Sequence, residues 1–156
     1  MGVFAIVMAS LSGLIRHTLR FYNIQVMATE VEQQAIQAIR WIGQELGEGS
    51  VESLANLPPP EHAVVFGSPR DKDNVLQFDN ERMLWQKFVC YYVDKIEDTS
   101  ILKRGVLEFD EPAYAPPVVP PTISISTFQG ADVSERVMAR HIEELKVNVS
   151  DNVEIE

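Results

Sequence analysis

The chain of 156 residues has a single cysteine, Cys90, which excludes an intramolecular disulfide and any thiolate-built metal cluster. Acidic residues are missing from Met1 to Thr29, where the only formal charges are Arg16 and Arg20, with His17 between them. Proline does not occur before Pro58, and Gly13 is the only glycine between Gly2 and Gly43, so little interrupts a helix over that stretch. No apolar run reaches the roughly 20 residues that a bilayer-spanning helix needs. Positive charge is scarce as well. Thirteen Lys and Arg against 23 Asp and Glu leave a net charge of −10, which argues against a nucleic-acid partner, because phosphate binding needs clustered bases. There is no phosphate-binding glycine loop, no G-x-S-x-G and no dinucleotide fingerprint. His17, His62 and His141 stand far apart, with none at a metal-ligand spacing such as i, i+4. No cofactor, metal or small-molecule substrate is expected, and nothing argues for an enzyme.

What is present begins with an uncharged apolar segment, Val3 to Ile15. Three readings fit its length: a signal-peptide core, a buried core helix, or a helix that enters a membrane or a bundle of its own kind. A signal peptide is disfavoured, because no basic segment precedes the run and no small-x-small cleavage pattern ends it. The pattern also continues well past Ile15. Leu11, Leu14, Phe21, Ile24, Ala28, Val31, Ala35, Ile39, Ile42 and Leu46 recur at steps of three or four, apart from one wider gap across Thr18. That is one face of an α-helix. Gln25, Glu30, Glu32, Gln33, Gln34, Gln37 and Arg40 supply a polar face, and Gly43, Gly47 and Gly49 are the expected stop. One helix is therefore predicted from about Val3 to Leu46, on the order of 65 Å long at the standard rise. It is longer than the domain the remaining residues can build. Its second half (Ile24, Val31, Ala35, Ile39, Ile42, Leu46) is expected to pack on that domain. Its first half (Val3, Phe4, Ile6, Val7, Met8, Leu11, Leu14, Ile15) is expected to project and to find another apolar environment.

Beyond the helix the period changes. A turn-rich linker from Ser50 to Glu61 leads into short apolar runs, Ala63 to Phe66 and Val75 to Phe78, and then into Met83 to Val93. The last is dense in aromatic and β-branched residues and reads as the strongest strand. Its alternation places Leu84, Gln86, Phe88, Cys90 and Tyr92 on one face and Trp85, Lys87, Val89, Tyr91 and Val93 on the other. Ile101-Leu102 and Val106 to Phe109 are expected to run antiparallel to it. Glu111 to Pro121 holds five prolines and is expected to be a loop or an edge, since proline cannot donate to a ladder. Thr122 to Phe128 reads as a short strand or an ordered loop, and Asp132 to Ile142 as a short helix. Leu145 to Val149 and Val153 to Glu156 read as a final hairpin. The fold class is α+β: a long N-terminal helix on a small antiparallel head, divided as 1–48 helix, 49–61 linker and 62–156 head. Cys90 beside His62 or His141 would be the one nucleophile pair available, yet its neighbours make it strand core. Asp71 to Asn74 has the look of a calcium loop but lacks the glycine and the distal glutamate, so it reads as a solvated turn.

A projecting apolar helix that leads into a small antiparallel head resembles the type IV pilin and type II secretion pseudopilin family. The resemblance lies in Ala5 to Ile15, which looks like the helix start that follows a prepilin cleavage site. It lies also in the run from Val31 through Ala35-Ile36 and Ile39-Arg40-Trp41-Ile42 to Glu45-Leu46, similar to the second half of that helix in J-type or W-type minor pilins. What the resemblance implies is a structural subunit whose partners are other pilin or pseudopilin subunits. It would sit in the bacterial inner membrane facing the periplasm, or in a cell-surface filament. The family's leader and its early glutamate have no counterpart before Glu30. Two explanations stand side by side: the first residues are missing from this chain, or it is a tip-type subunit, with no neighbour above it whose amine needs neutralising. The alternative function is a membrane-tethered periplasmic module whose head recognises a protein, peptide or glycan.

Overall fold

The computed structural model describes residues 2–57, 63–96, 99–129, 134–142, 145, 147–148 and 154–155; side chains are described from Ile15 onward and not in the last two short strands. Helix α1 spans Gly2–Glu48, about 70 Å at the standard rise. It ends two residues later than the sequence predicts, and Gly43 and Gly47 lie within it rather than stopping it. Gly49 closes the last turn, its N–H donating to the carbonyls of Glu45 and Leu46. A 3₁₀ turn at Val51–Ser53 follows, with Ser50 as its cap.

The strands are β1 Ala55–Leu57, β2 Ala63–Ser68, β3 Phe78–Asp79, β4 Arg82–Met83, β5 Trp85–Ile96, β6 Thr99–Ala113, β7 Ser134–Arg140, β8 Val147–Asn148 and β9 Glu154–Ile155. Five of them form one antiparallel sheet in the order β1-β2-β5-β6-β7. The small pairs β3-β4 and β8-β9 stand apart from it. Segment 55–57, read from sequence as linker, thus supplies one edge of the sheet. The two apolar runs expected after Ile101 are one continuous strand, β6.

Of the helix expected over Asp132 to Ile142, Asp132 and Val133 lie outside the described residues, and residues 134–140 are strand β7 instead. The cause is a bulge. Leu102 pairs with Ala139 and Lys103 with Val137, so Met138 is an extra residue in the ladder. Met138 and Ala139 consequently reach the same core cluster, and the two-residue alternation that marks a strand is lost.

The sheet is covered on both faces. On one face Ala38 and Ile42 of α1 meet Val64, Phe66, Val89, Tyr91, Leu102 and Ala139, with Leu46 and Leu54 at the margin. On the other, Ala63, Val65, Phe88, Cys90 and Tyr92 pack around Phe128, with Leu107, Phe109, Val119, Ile123 and Ile125 beside them. The alternation expected of β5 is the observed one from Phe88 to Val93, with both faces inward, while the pairing with β6 shifts register between Trp85 and Lys87. The proline-rich segment and the 3₁₀ turn Ile125–Phe128 form this second layer. Two glycines let it settle. A Cβ on Gly105 would stand 2.8 Å from the Cβ of Phe128, and one on Gly67 would stand 2.8 Å from the Cγ of Pro117.

Candidate functional site

Helix α1 has two surfaces of opposite character. Every residue from Ile15 to Glu30 is exposed, and packing against the head begins at Val31. Ile15, Leu19, Tyr22 and Val26 follow one another at steps of four, three and four and share one side of the helix. Phe21, Ile24 and Met27 lie on the opposite side. The exposures run from 46% for Val26 to 68% for Met27, so apolar surface surrounds the whole circumference.

Of the residues expected to carry the projecting surface, Ile15 is exposed at 52%; the side chains of Val3, Phe4, Ile6, Val7, Met8, Leu11 and Leu14 fall outside the described ones. Of those expected to pack on the head, Ile42 is buried and Leu46 lies against the core, while Val31 and Ala35 are half-buried. Ile24 and Ile39 do not pack on it, being 57% and 47% exposed. Ile24 lies before the first contact with the head. Ile39 is displaced because its neighbour Ala38 takes the inward position, continued by Ile42 and Glu45 at steps of four and three.

Glu45 is the residue the sequence did not single out. Its carboxylate, on the buried face of α1, accepts the Tyr91 O–H at 2.6 Å. It also accepts two N–H groups of Arg104, Nε at 3.0 Å and Nη2 at 2.8 Å. Tyr91 and Arg104 face each other across β5 and β6, so one helical carboxylate ties the two central strands. Burial first, and then the negative charge of Glu45, push the Tyr91 phenol far above its usual range. Burial is the largest influence on Arg104 and pulls it down, but the hydrogen bond to Glu45, the Glu45 charge and Tyr91 together outweigh it and raise the guanidinium. A second tie closes the helix end, where Arg70 Nη2 donates to Glu48 Oε1 at 2.6 Å and holds that carboxyl below its usual range. A charge at an inward helical phase (Glu45), and another at an inward strand phase between Leu102 and Val106 (Arg104), were the available signals.

The polar turn before β3 serves the fold. Asp71 Oδ1 accepts the backbone N–H groups of Asp73 and Val75, each at 2.9 Å, and its Oδ2 accepts Gln77. The carboxylate of the segment read as a solvated turn thus organises that turn, and these bonds, Val75's above all, hold it below the usual range. Cys90 is fully buried in β5. His17 and His141 are exposed, and His62 lies outside the described residues. Among the described residues no three His, Cys, Asp or Glu side chains gather as metal ligands, and no helix is long and apolar enough to cross a membrane.

Between α1 and the edge strand β7 runs a groove of about 340 Å³ lined by Gln37, Arg40, Trp41, Gln44, Arg136 and Val137, with Ala38 and Met138 at its floor. The Arg136 guanidinium lies 5.2 Å from the centre of the Trp41 ring. No family model, curated protein or solved structure matches the chain.

Proposed function

We propose that the chain is a non-enzymatic structural subunit, pilin-like or pseudopilin-like, that joins a type IV pilus or type II secretion pseudopilus through its N-terminal helix. One observation carries the reading: seven large apolar side chains between Ile15 and Met27 stand exposed around the whole helix. Fully burying a side chain of this kind is worth about 1.5–3 kcal/mol, and these are roughly half exposed, so an apolar surround returns on the order of 10 kcal/mol. A helix with one apolar stripe is satisfied by one neighbour. A helix apolar on opposite sides needs several, as in a bundle of like helices, or a lipid surround before assembly. On this reading the subunit waits in the inner membrane facing the periplasm, and its partners are other pilin or pseudopilin subunits. The tie from Glu45 to Tyr91 and Arg104 would then carry the helix's position into the head.

The test uses the complete gene in cells with and without the prepilin peptidase. Cys90 is buried, so Leu19→Cys or Tyr22→Cys provides the one accessible thiol for crosslinking. Peptidase-dependent change in size, membrane location and crosslinks to itself or to other filament subunits support the proposal. A cytosolic, unprocessed product, or a thiol that meets only lipid in cells that display filaments, overturns it.

A further inference from the structure

We infer that the groove between α1 and β7 is a docking site for an extended, carboxylate-rich segment of another protein, added as a strand along β7. The inference stands on the groove alone and does not rest on the filament reading. Among the described residues β7 is the last strand of the sheet and pairs with β6 on one side only; the Arg140 N–H donates to Gln34 Oε1 at 3.3 Å, and the outer edge before it offers backbone donors and acceptors to a further strand.

Charge decides what kind of strand. The chain carries 23 acidic residues against 13 Lys and Arg, so its guanidinium groups have carboxylates in excess to pair with. Arg70 and Arg104 do pair, with Glu48 and Glu45. Arg40 and Arg136 line the groove and Arg140 ends the same strand, yet among the described residues none of these three side chains has an ion-pair partner. The carboxylate next to Arg136, Glu135, is engaged by the Tyr92 hydroxyl and by Lys103. Among the described residues no acidic one lines the groove. The Arg136 guanidinium, 5.2 Å from the Trp41 ring centre, is held within cation–π range, and its N–H groups have no ion-pair partner among the described residues, so they can take a carboxylate bidentately. Exposed Trp41 (38%) and Val137 (46%) give an apolar side chain of the same segment a seat. Nucleic acid and anionic lipid fit less well, because the net charge of −10 repels both and neither supplies a backbone to the strand edge.

The experiment uses the full chain in non-ionic detergent with fluorescent peptides that alternate Glu and Val, Gln and Val, or Lys and Val. Anisotropy is expected to show the Glu peptide binding at least about tenfold tighter than the Gln peptide, with no binding of the Lys peptide. N-methylation of the amides along one edge of the Glu peptide is expected to abolish binding, and along the other edge to leave it. These comparisons use the unaltered protein, so they hold even if a variant misfolds. Arg136→Gln is expected to lose about tenfold in affinity with an unchanged circular dichroism spectrum, and Arg136→Lys to recover part of it. Equal binding of Glu and Gln peptides, indifference to N-methylation, or binding insensitive to Arg136 overturns the inference. So does self-association by sedimentation that Arg136→Gln abolishes while no peptide binds, since the occupant is then a second copy.

Discussion

Removing either half of the Glu45–Arg104 pair is expected to cost more than removing both. The pair sits under the helix with side-chain exposures of 8% for Glu45 and 14% for Arg104. Glu45→Met leaves Arg104 buried without a carboxylate, and Arg104→Met leaves Glu45 with one hydrogen bond, from Tyr91. Breaking a buried pair from one side costs about 3–5 kcal/mol, and the residual exposure of Arg104 puts its variant near the lower end. In the double variant no charge remains uncompensated, but the Tyr91 hydroxyl has lost its acceptor, an orphaned group worth about 1–3 kcal/mol. Tyr91→Phe added to the double variant removes that group and is expected to return stability close to the parent. Urea denaturation in detergent, followed by near- and far-ultraviolet circular dichroism, measures all of these on one scale. The coupling between Glu45 and Arg104 should be at least about 2 kcal/mol in a double-mutant cycle. Singles that each cost under about 1 kcal/mol and add within error would refute the tie as a structural element. Against a total stability of about 5–15 kcal/mol, effects of the predicted size are easily read.

The second layer offers another check. Gly105→Ala places a methyl group 2.8 Å from Phe128 Cβ and 3.2 Å from its carbonyl oxygen, so backbone must move, at a cost of about 1–3 kcal/mol. A change below about 0.5 kcal/mol would mean that residues 125–128 do not press on β6 as described. Alkaline pH should also destabilise the protein. Burial and then Glu45 raise Tyr91, burial and then the bond to Glu135 raise Tyr92, and the bond to Asp94 raises Lys103. All three hold protons more tightly when folded, so their contribution is intact below their ordinary values of 10.0 and 10.5 and is lost as pH rises above them. The expected slope is roughly 1.4 kcal/mol per pH unit for each buried tyrosine, with Lys87, lowered by burial, acting in the opposite sense. A flat unfolding free energy between about pH 9 and 11 would contradict the assignment.

The helix and the central strand were legible because their patterns are local. Thirteen uncharged residues, a stripe at steps of three and four, and no proline before Pro58 define α1 with no knowledge of its partners. The two faces of β5 from Phe88 to Val93 follow from simple alternation. What failed to read depends on other parts of the chain. Segment 134–140 has no alternation to show, because the bulge at Met138 breaks its phase where it joins β6. Segment 114–129 has no period at all, yet it covers a sheet face, because Val119, Ile123, Ile125 and Phe128 are brought together by prolines and a 3₁₀ turn rather than by a repeat. The inward phase of α1 was misjudged at Ile39 for a related reason. Hydrophobicity ranks Ile above Ala, but the small Ala38 lets the helix backbone approach the sheet, and that approach brings Glu45 within reach of Tyr91 and Arg104.

The candidate sites were the least legible part, since each is assembled from distant segments. Glu45 and Arg104 lie 59 positions apart, and the helical and β7 walls of the groove are still further apart in sequence. A single charge at an inward position reads as an anomaly in either segment and becomes a reasoned feature only when its partner is found. The apolar seam between α1 and the sheet is narrow, with Ala38 and Ile42 its fully buried helical members. A seam so small specifies position poorly, because several shifts along or around the helix axis would bury similar area. The bidentate contact from Arg104 and the hydroxyl of Tyr91 admit one. The polar tie therefore fixes where α1 leaves the head, and with it the direction in which the exposed apolar residues from Ile15 to Met27 are presented.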